Sequence, residues 1–324
     1  MKAVVWGLGK LGWEAVEAGL RAPDIELVGA VSRRARSSGL SLPGDVPIFD
    51  DLDAVAEAHP GAAVVHAHHE LGDALVAAAV ACASRGLSFV TSSGLFDPAG
   101  QMRDHGREMD RIARKHGVHI VAAGAQPGFF FDVLPGLVLP IAAVWDRATA
   151  AKPSDASSWP KDTRHALSIG EPPETLDGDL PYPLRVSAHL LVDALGLGIE
   201  QITEQRVSTT SARDIELHDE VLSAGVATGF SQVCRIVTTD SREIELRWEV
   251  SVDDDLVRGE RPFRLRVERS SLSILELELD GEFSDDPYPA TVERMLHVMT
   301  AAQNLSPGLH RVIDVGLSRS VAAG

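Results

Sequence analysis

The sequence is poor in cysteine, in basic side chains and in long apolar runs. Its 324 residues include two cysteines, Cys82 and Cys234, too few and too far apart for a disulfide framework or a C-x-x-C metal or redox pair. Ordinary thiols in a reducing cytoplasm are the expectation. Lys and Arg number 30 against 47 Asp and Glu, a formal net charge of −17. That imbalance argues against nucleic acid as a partner, because counterion release needs clustered cations. It also disfavours binding to anionic membranes, and an anionic ligand would need a local positive pocket. No stretch approaches the roughly 20 apolar residues that span a bilayer. Met1 leads straight into a strand-like segment, without the charged start and cleavage site of a secretory leader. The expectation is a soluble cytoplasmic protein.

The composition, 44% hydrophobic and 24% charged, is that of a globular chain able to bury real cores, and the length suggests about two domains. No internal repeat or low-complexity segment interrupts it. Short apolar runs alternate with helical patterns over the first 140 residues. Lys2 to Trp6, Ile25 to Val31, Ala62 to Ala67, Leu87 to Thr91 and Val118 to Ala122 are the runs. Helical spacing over Lys10 to Leu20, Glu70 to Ser84 and Gln101 to His116 separates most of them. Such alternation predicts a parallel sheet wound on both faces.

The rhythm changes near residue 143. Six prolines between 143 and 183 leave room for regular elements only in pieces. Ile244 to Val250, Phe263 to Arg269 and Leu272 to Leu279 then alternate with period two, which predicts antiparallel strands with one wet face. Residues 240–289 carry 15 acidic and 7 basic side chains, about half of the net charge, and a solvated outer face accounts for them. Helical periodicity returns from Ala290 to Gln303. The expected division is a dinucleotide-binding α/β domain over 1–142 and an α+β domain over 143–289, with 290–324 packing back onto the first.

The residues richest in chemical information are Gly7-Leu8-Gly9-Lys10-Leu11-Gly12, a G-x-G-x-x-G placed after a strand and opening a helix. Gly7 allows the tight turn, Gly9 lets backbone approach a pyrophosphate, and Gly12 lets helix and strand pack closely. The helix N-terminus then offers unpaired N–H groups to phosphate. An NAD binder usually places Asp or Glu at the end of the second strand to hold the ribose 2′-hydroxyl. Here that strand runs into Ser32-Arg33-Arg34, with Arg36 close behind. Guanidinium groups pair with a 2′-phosphate, so NADP(H) is the expected cofactor and NAD(H) the alternative.

Further strand ends point into the same crevice. The third gives Ala67, His68, His69 and Glu70, where a histidine could line the cofactor or move a proton. The H-x-H-H-E spacing is not H-E-x-x-H, nothing else completes a ligand set, and no metal is expected. The fourth gives Ser92 and Ser93, small enough for close approach of a nicotinamide ring. The fifth gives Gln126, able to bond a carboxamide or substrate, with Asp132 beyond it.

These pieces together resemble the dihydrodipicolinate reductase-like superfamily, and within it 2,4-diaminopentanoate dehydrogenases and native amine dehydrogenases. VVWGLGKLG, VVHAHHE, VHIVAAGAQPGFFFDVLPG, Asp155-Ala156-Ser157-Ser158 and the late DGEFSDDPYPATVERMLHVMTAAQNLSPGL carry the resemblance. It implies an N-terminal Rossmann domain with a doubly wound parallel sheet, a second α+β domain built on a mixed or antiparallel sheet, a homodimer, and reversible reduction of an imine to an amine. Amine dehydrogenases carry an acidic residue in the loop after the fourth strand, where this chain has Thr91-Ser92-Ser93-Gly94. Asp97, Glu70 or a histidine would have to substitute.

The sequence therefore predicts an NADPH-dependent oxidoreductase acting on a small imine, or on a ketone plus ammonia, held between two domains. Gly7 to Gly12 would cradle pyrophosphate, and Ser32, Arg33 and Arg34 the 2′-phosphate. Ala67, His68, Ser92, Ser93 and Gln126 would line the nicotinamide. His68 or His69 is the expected proton donor, with Asp132 as a further catalytic candidate. A carbonyl-reducing NADP dehydrogenase and a catalytically inactive NADP(H) sensor are the alternatives.

Overall fold

Local sequence sets the elements of the first unit. The computed structural model describes residues 1–32, 39–68, 70, 72–93, 102–177, 180, 182–253 and 262–315. Strand β1 (Lys2–Trp6) stops at Gly7, and α1 (Lys10–Arg21) follows. Next come β2 (Glu26–Val31), the two-residue β3 (Ile48–Phe49) and α2 (Leu52–Ala58). The Asp51 carboxylate caps α2 by accepting from the Ala54 N–H at 2.9 Å, which satisfies one of the donors left free at a helix start. Then follow β4 (Ala63–His66), α3 (Gly72–Ser84), β5 (Ser88–Thr91), α4 (Met102–His116) and β6 (His119–Ala122).

All residues of β4, β5 and β6 are buried, as expected where helices cover both faces of a parallel sheet. Val4, Val64, Leu75, Phe89 and Ile120 lie among the wholly buried side chains of this core.

The second unit follows a different plan. It contains α5 (Val133–Val138), β7 (Arg147–Asp155), α6 (Lys161–Ala166), β8 (Thr175–Asp177), α7 (Arg185–Ala194) and β9 (Ile199–Thr210). A small hairpin, β10 (Ile215–Glu216) and β11 (Val221–Leu222), precedes β12 (Ala227–Thr238), β13 (Glu243–Ser251), β14 (Phe263–Arg269) and β15 (Leu272–Leu279). The chain returns through α8 (Pro287–Ala302) to β16 (Gly308–His310).

Contacts divide the chain into one unit of Met1–Phe129 with Tyr288–Gly324 and another of Phe130–Pro287. The break therefore falls at 129/130 rather than 142/143, because α5 packs on α7 of the second unit. The first sheet runs β16-β6-β5-β4-β1-β2-β3, with every pairing parallel. The second runs β15-β14-β7-β13-β12-β9-β8 and is mixed, since β7 and β13 pair in parallel while its other pairings are antiparallel. A Rossmann-like parallel sheet and a second unit on a mixed sheet make the chain α/β, as the alternation predicts.

Two differences from the sequence reading have physical causes. Strand β7 lies in the proline-rich stretch and contains Pro153. Its pairing with β14 ends at Ala151, so the proline lies beyond that ladder. Strand β9 is 12 residues long yet shows no clean alternation, because most of its side chains stay partly in solvent.

Strand β16 is held to β6 by a histidine pair as well as by backbone bonds. His119 Nδ1 and His310 Nε2 share a hydrogen bond of 3.0 Å, and the rings stack 5.2 Å apart. Burial pushes both imidazoles below their ordinary value, and His310 depresses His119 further. A depressed imidazole binds its proton more readily in the unfolded chain. The pair's contribution is thus full above about pH 6.5 and is lost as pH falls toward the folded values. We predict a lower urea midpoint at pH 5 than at pH 7, with a smaller difference in His310→Asn.

Candidate active site

The order β3-β2-β1-β4-β5-β6 reverses direction between β1 and β4, and ligands of such sheets bind beyond the strand C-termini at that switch point. Gly7 sits there at φ +102°, a conformation open to glycine, and its N–H bonds the Val31 carbonyl of β2 at 3.1 Å. A Cβ on Gly12 would lie 1.9 Å from the Gly7 carbonyl oxygen, so α1 crosses the turn at a distance no side chain permits. A Cβ on Gly9, in contrast, would meet nothing within 4 Å among the described residues. Gly9 caps α1 without a side-chain bond, and the first turn holds no acidic residue. The helix start therefore presents N–H groups and open space, which suits a pyrophosphate. Lys10 is half-buried, with its Nζ 4.7 Å above the Tyr288 ring. Leu8 and Leu11 are half-buried in the same turn.

Ala67 follows β4, buried, with its N–H on the Trp6 carbonyl at 2.9 Å. His68 is exposed, and its Nε2 would lie 2.9 Å from a Cβ on Gly7, so the imidazole rests on the glycine turn. Its ring stands edge-on to Trp6 at 5.7 Å. The sequence reading missed His66, the last residue of β4. It is wholly buried among Trp6, His68 and Phe89, and its Nε2 lies 2.9 Å from Glu70 Oε2. Burial pushes this imidazole down to about 4, against the opposing pull of Glu70.

At the end of β5, the Ser93 N–H donates to Thr91 Oγ1 at 3.2 Å, and Ser92 packs against Gly124. Beyond β6, Gln126 is half-buried, and its Oε1 is a buried acceptor without a partner among the described residues. Buried polar atoms are nearly always hydrogen-bonded, and an amide oxygen left open at a strand end suits a carboxamide or a substrate N–H. Ser32 directly follows β2, half-buried, with its N–H on the Phe49 carbonyl at 3.3 Å. Ser32, Ala67, His68, Ser92, Ser93 and Gln126 thus all follow strand C-termini of one sheet. Arg33, Arg34, Arg36, His69 and Asp97 lie outside the described residues.

Asp132 belongs to the second unit and is wholly buried. Its carboxylate accepts from the Val133 N–H at 2.6 Å, capping α5, and from the Ser187 hydroxyl of α7 at 2.6 Å. Those bonds join α5 to α7 within the second unit. The second unit also buries a lysine that sequence reasoning passed over. Lys152 Nζ donates to Ser154 Oγ at 2.8 Å and lies 5.5 Å above the Phe130 ring. Burial pushes the ammonium down to about 8. The available signal was the inward row Ala148, Ala150, Lys152, Ser154, in which a lysine occupies a core position. Among the described residues, no three His, Cys, Asp or Glu side chains are grouped to hold a metal ion.

No protein-family model matches the chain, and no curated protein matches its sequence. Solved structures share its fold. The amine dehydrogenase of Mycobacterium smegmatis superposes with a TM-score of 0.82 at 20% identity, over 98% of this chain and 97% of that one. A probable dehydrogenase from Thermotoga maritima gives 0.56 at 15% identity, over 100% and 91%. The myo-inositol 2-dehydrogenase of Lactobacillus plantarum gives 0.55 at 11% identity, over 99% of both chains. At these identities the likeness establishes the fold.

The glycine turn yields a paired prediction. Gly12→Ala drives a methyl group into backbone and should destabilise by about 1–3 kcal/mol or more in urea unfolding. Gly9→Ala meets no atom and should unfold within about 0.5 kcal/mol of the wild type. Its methyl group fills the open space above α1, so dinucleotide affinity should fall at least about tenfold, near 1.4 kcal/mol, by fluorescence titration.

Proposed function

We propose that this protein is an NADP(H)-dependent oxidoreductase that interconverts a small imine, or a ketone plus ammonia, with an amine. The observation that carries the reading is the turn Gly7 to Gly12, where two glycines make the crossing possible and the third leaves its space open. The fold shared with an amine dehydrogenase and two further dehydrogenases supports the same class. Within that reading, the α1 N-terminus binds pyrophosphate, and Ser32 with Arg33 and Arg34 binds the 2′-phosphate. Gln126 Oε1 holds the carboxamide N–H, which satisfies an acceptor otherwise left without a partner. Ala67, His68, Ser92 and Ser93 line the ring.

A nicotinamide supplies hydride chemistry when bound, and an iminium is already an electrophile. The chain's own contribution is therefore placement, exclusion of water and proton movement. His68 is exposed above the glycine turn and is placed to exchange a proton with a ligand there. We further propose that the active form is a homodimer in the cytoplasm and that its ligand is a small molecule. A carbonyl couple is the second reading. It shares every cofactor contact and differs in needing no nitrogen.

The test is titration of the purified protein with NADPH and NADH, following protein fluorescence. NADPH should bind more tightly than NADH. Arg33→Ala with Arg34→Ala should weaken NADPH by at least about tenfold, in line with loss of charge-assisted bonds, and leave NADH nearly unchanged. Equal losses for both would overturn the NADP assignment. Failure of both cofactors to bind would overturn the oxidoreductase.

A further inference from the structure

We propose that Glu70 is an acid–base residue of this site beside His68, a catalytic carboxylate aligned by His66 and serving a substrate that carries a primary amine. The proposal rests on the reading of the site as a nicotinamide oxidoreductase, and its test separates the two.

The direction of one row of hydrogen bonds leads to Glu70. A backbone N–H can donate and cannot accept, so the Ser93 N–H fixes Thr91 Oγ1 as its acceptor at 3.2 Å. That bond leaves Thr91 Oγ1 its own proton and a second lone pair, and His66 Nδ1 lies 3.4 Å away. Full burial among Trp6 and Phe89 keeps the imidazole neutral at pH 7, so it carries one N–H. A carboxylate oxygen accepts, so that proton is on Nε2 and is donated to Glu70 Oε2 at 2.9 Å, and Nδ1 accepts from the Thr91 hydroxyl. Each donor in the row faces the next acceptor, and the carboxylate is its terminus.

Glu70 lies just beyond β4, at the switch point where Gly7 and Gly9 open the crevice. Its side chain is 38% exposed while that of His66 is fully enclosed, so the carboxylate stands where the row reaches solvent. Among the described residues the bond from His66 engages Oε2. The serines at the end of β5 hold no titratable group. A leucine or phenylalanine at position 66 would fill the same core space without desolvating a polar ring, and the histidine instead fixes a carboxylate at the mouth.

The chemistry requires such a group. A primary amine is an ammonium ion near pH 7, and its carbon cannot release hydride while the nitrogen lone pair is tied to a proton. Glu70 takes one proton from R₂CH–NH₃⁺ and becomes a carboxylic acid. The freed lone pair can then form the C=N bond as the adjacent C–H bond breaks, and an oxidised nicotinamide, when bound, would supply the two-electron acceptor for that hydride, leaving R₂C=NH₂⁺. In the reverse direction Glu70 returns its proton to the amine.

The test uses the full-length protein with NADP⁺ and sec-butylammonium chloride as the probe. Wild type, Glu70→Gln, His66→Gln and His66→Leu are first titrated with NADPH, and all four should agree within about threefold. Calorimetry of sec-butylammonium against each NADP⁺ complex should then show wild-type binding and at least about tenfold weaker binding in Glu70→Gln, the range expected when a charge-assisted bond is lost. The Glu70 side-chain ¹³C resonance should shift with the wild-type titration. His66→Gln retains an amide donor for Glu70 and should keep more affinity than His66→Leu. Equal affinity in Glu70→Gln overturns the proposal, as does the absence of sec-butylammonium binding in a wild type that binds NADPH. A wild type that binds neither NADPH nor NADP⁺ overturns the nicotinamide reading instead.

Discussion

The carbonyl of Gly7 and the backbone of Gly12 meet so closely that the space between strand β1 and helix α1 excludes even a methyl group. That contact fixes where the first turn of α1 begins, and hence where its unpaired N–H groups point. On the neighbouring strand, Ala67 hangs its own N–H on the Trp6 carbonyl one step before the turn. Trp6 in turn forms part of the wall around the His66 ring. The glycines, the neutral histidine and the carboxylate it meets are thus built from one local geometry at one end of the sheet.

Both units bury polar groups in a form that suits the low dielectric around them. In the first, His66 is enclosed without charge. In the second, Arg164 is wholly buried and donates to the Trp159 carbonyl, to Asp219 and to Glu220 at 2.7 Å. Those bonds tie α6 to the β10–β11 hairpin, and the adjacent cations hold Glu220 down to about 2 despite desolvation. Glu204 performs a related task by accepting from the Leu184 and Arg185 N–H groups as α7 begins. A buried ion that is paired and fully bonded keeps its position, whereas removal of one partner leaves the other uncompensated.

The legibility of the sequence followed burial. The first sheet could be read because its strands are enclosed on both faces and appear as apolar runs, and the G-x-G-x-x-G marked its mouth. In the second sheet β13, β14 and β15 alternate and were readable, but their neighbours were not. Strand β7 sits between β13 and β14 although it precedes both by about 100 residues, and no local pattern encodes that pairing. The site divides in the same way. Gly7, Gly9 and Gly12 act through backbone geometry that their spacing announces. His66 looked no different from His68 in sequence, and its role emerged from the donor row that only a folded β4 and β5 assemble. Asp132 stood in the sequence as a catalytic candidate, and the bond it accepts from Ser187, 55 residues on, at the start of α5 carried no local signal.

The interleaving of the two units bears on how the chain acquires its shape. The first unit takes an edge strand of its parallel sheet from residues 308–310, and His310 meets His119, 191 positions away in sequence. During synthesis the earlier strands therefore emerge long before their last neighbour. Until it arrives, β6 is a bare parallel edge with unpaired backbone groups, the kind of edge that recruits other chains. The intervening unit, with its own sheet, has time to collapse in the meantime and shortens the loop that must close. The sheet therefore stays open at β6 until residues 308–310 emerge and β16 docks beside it.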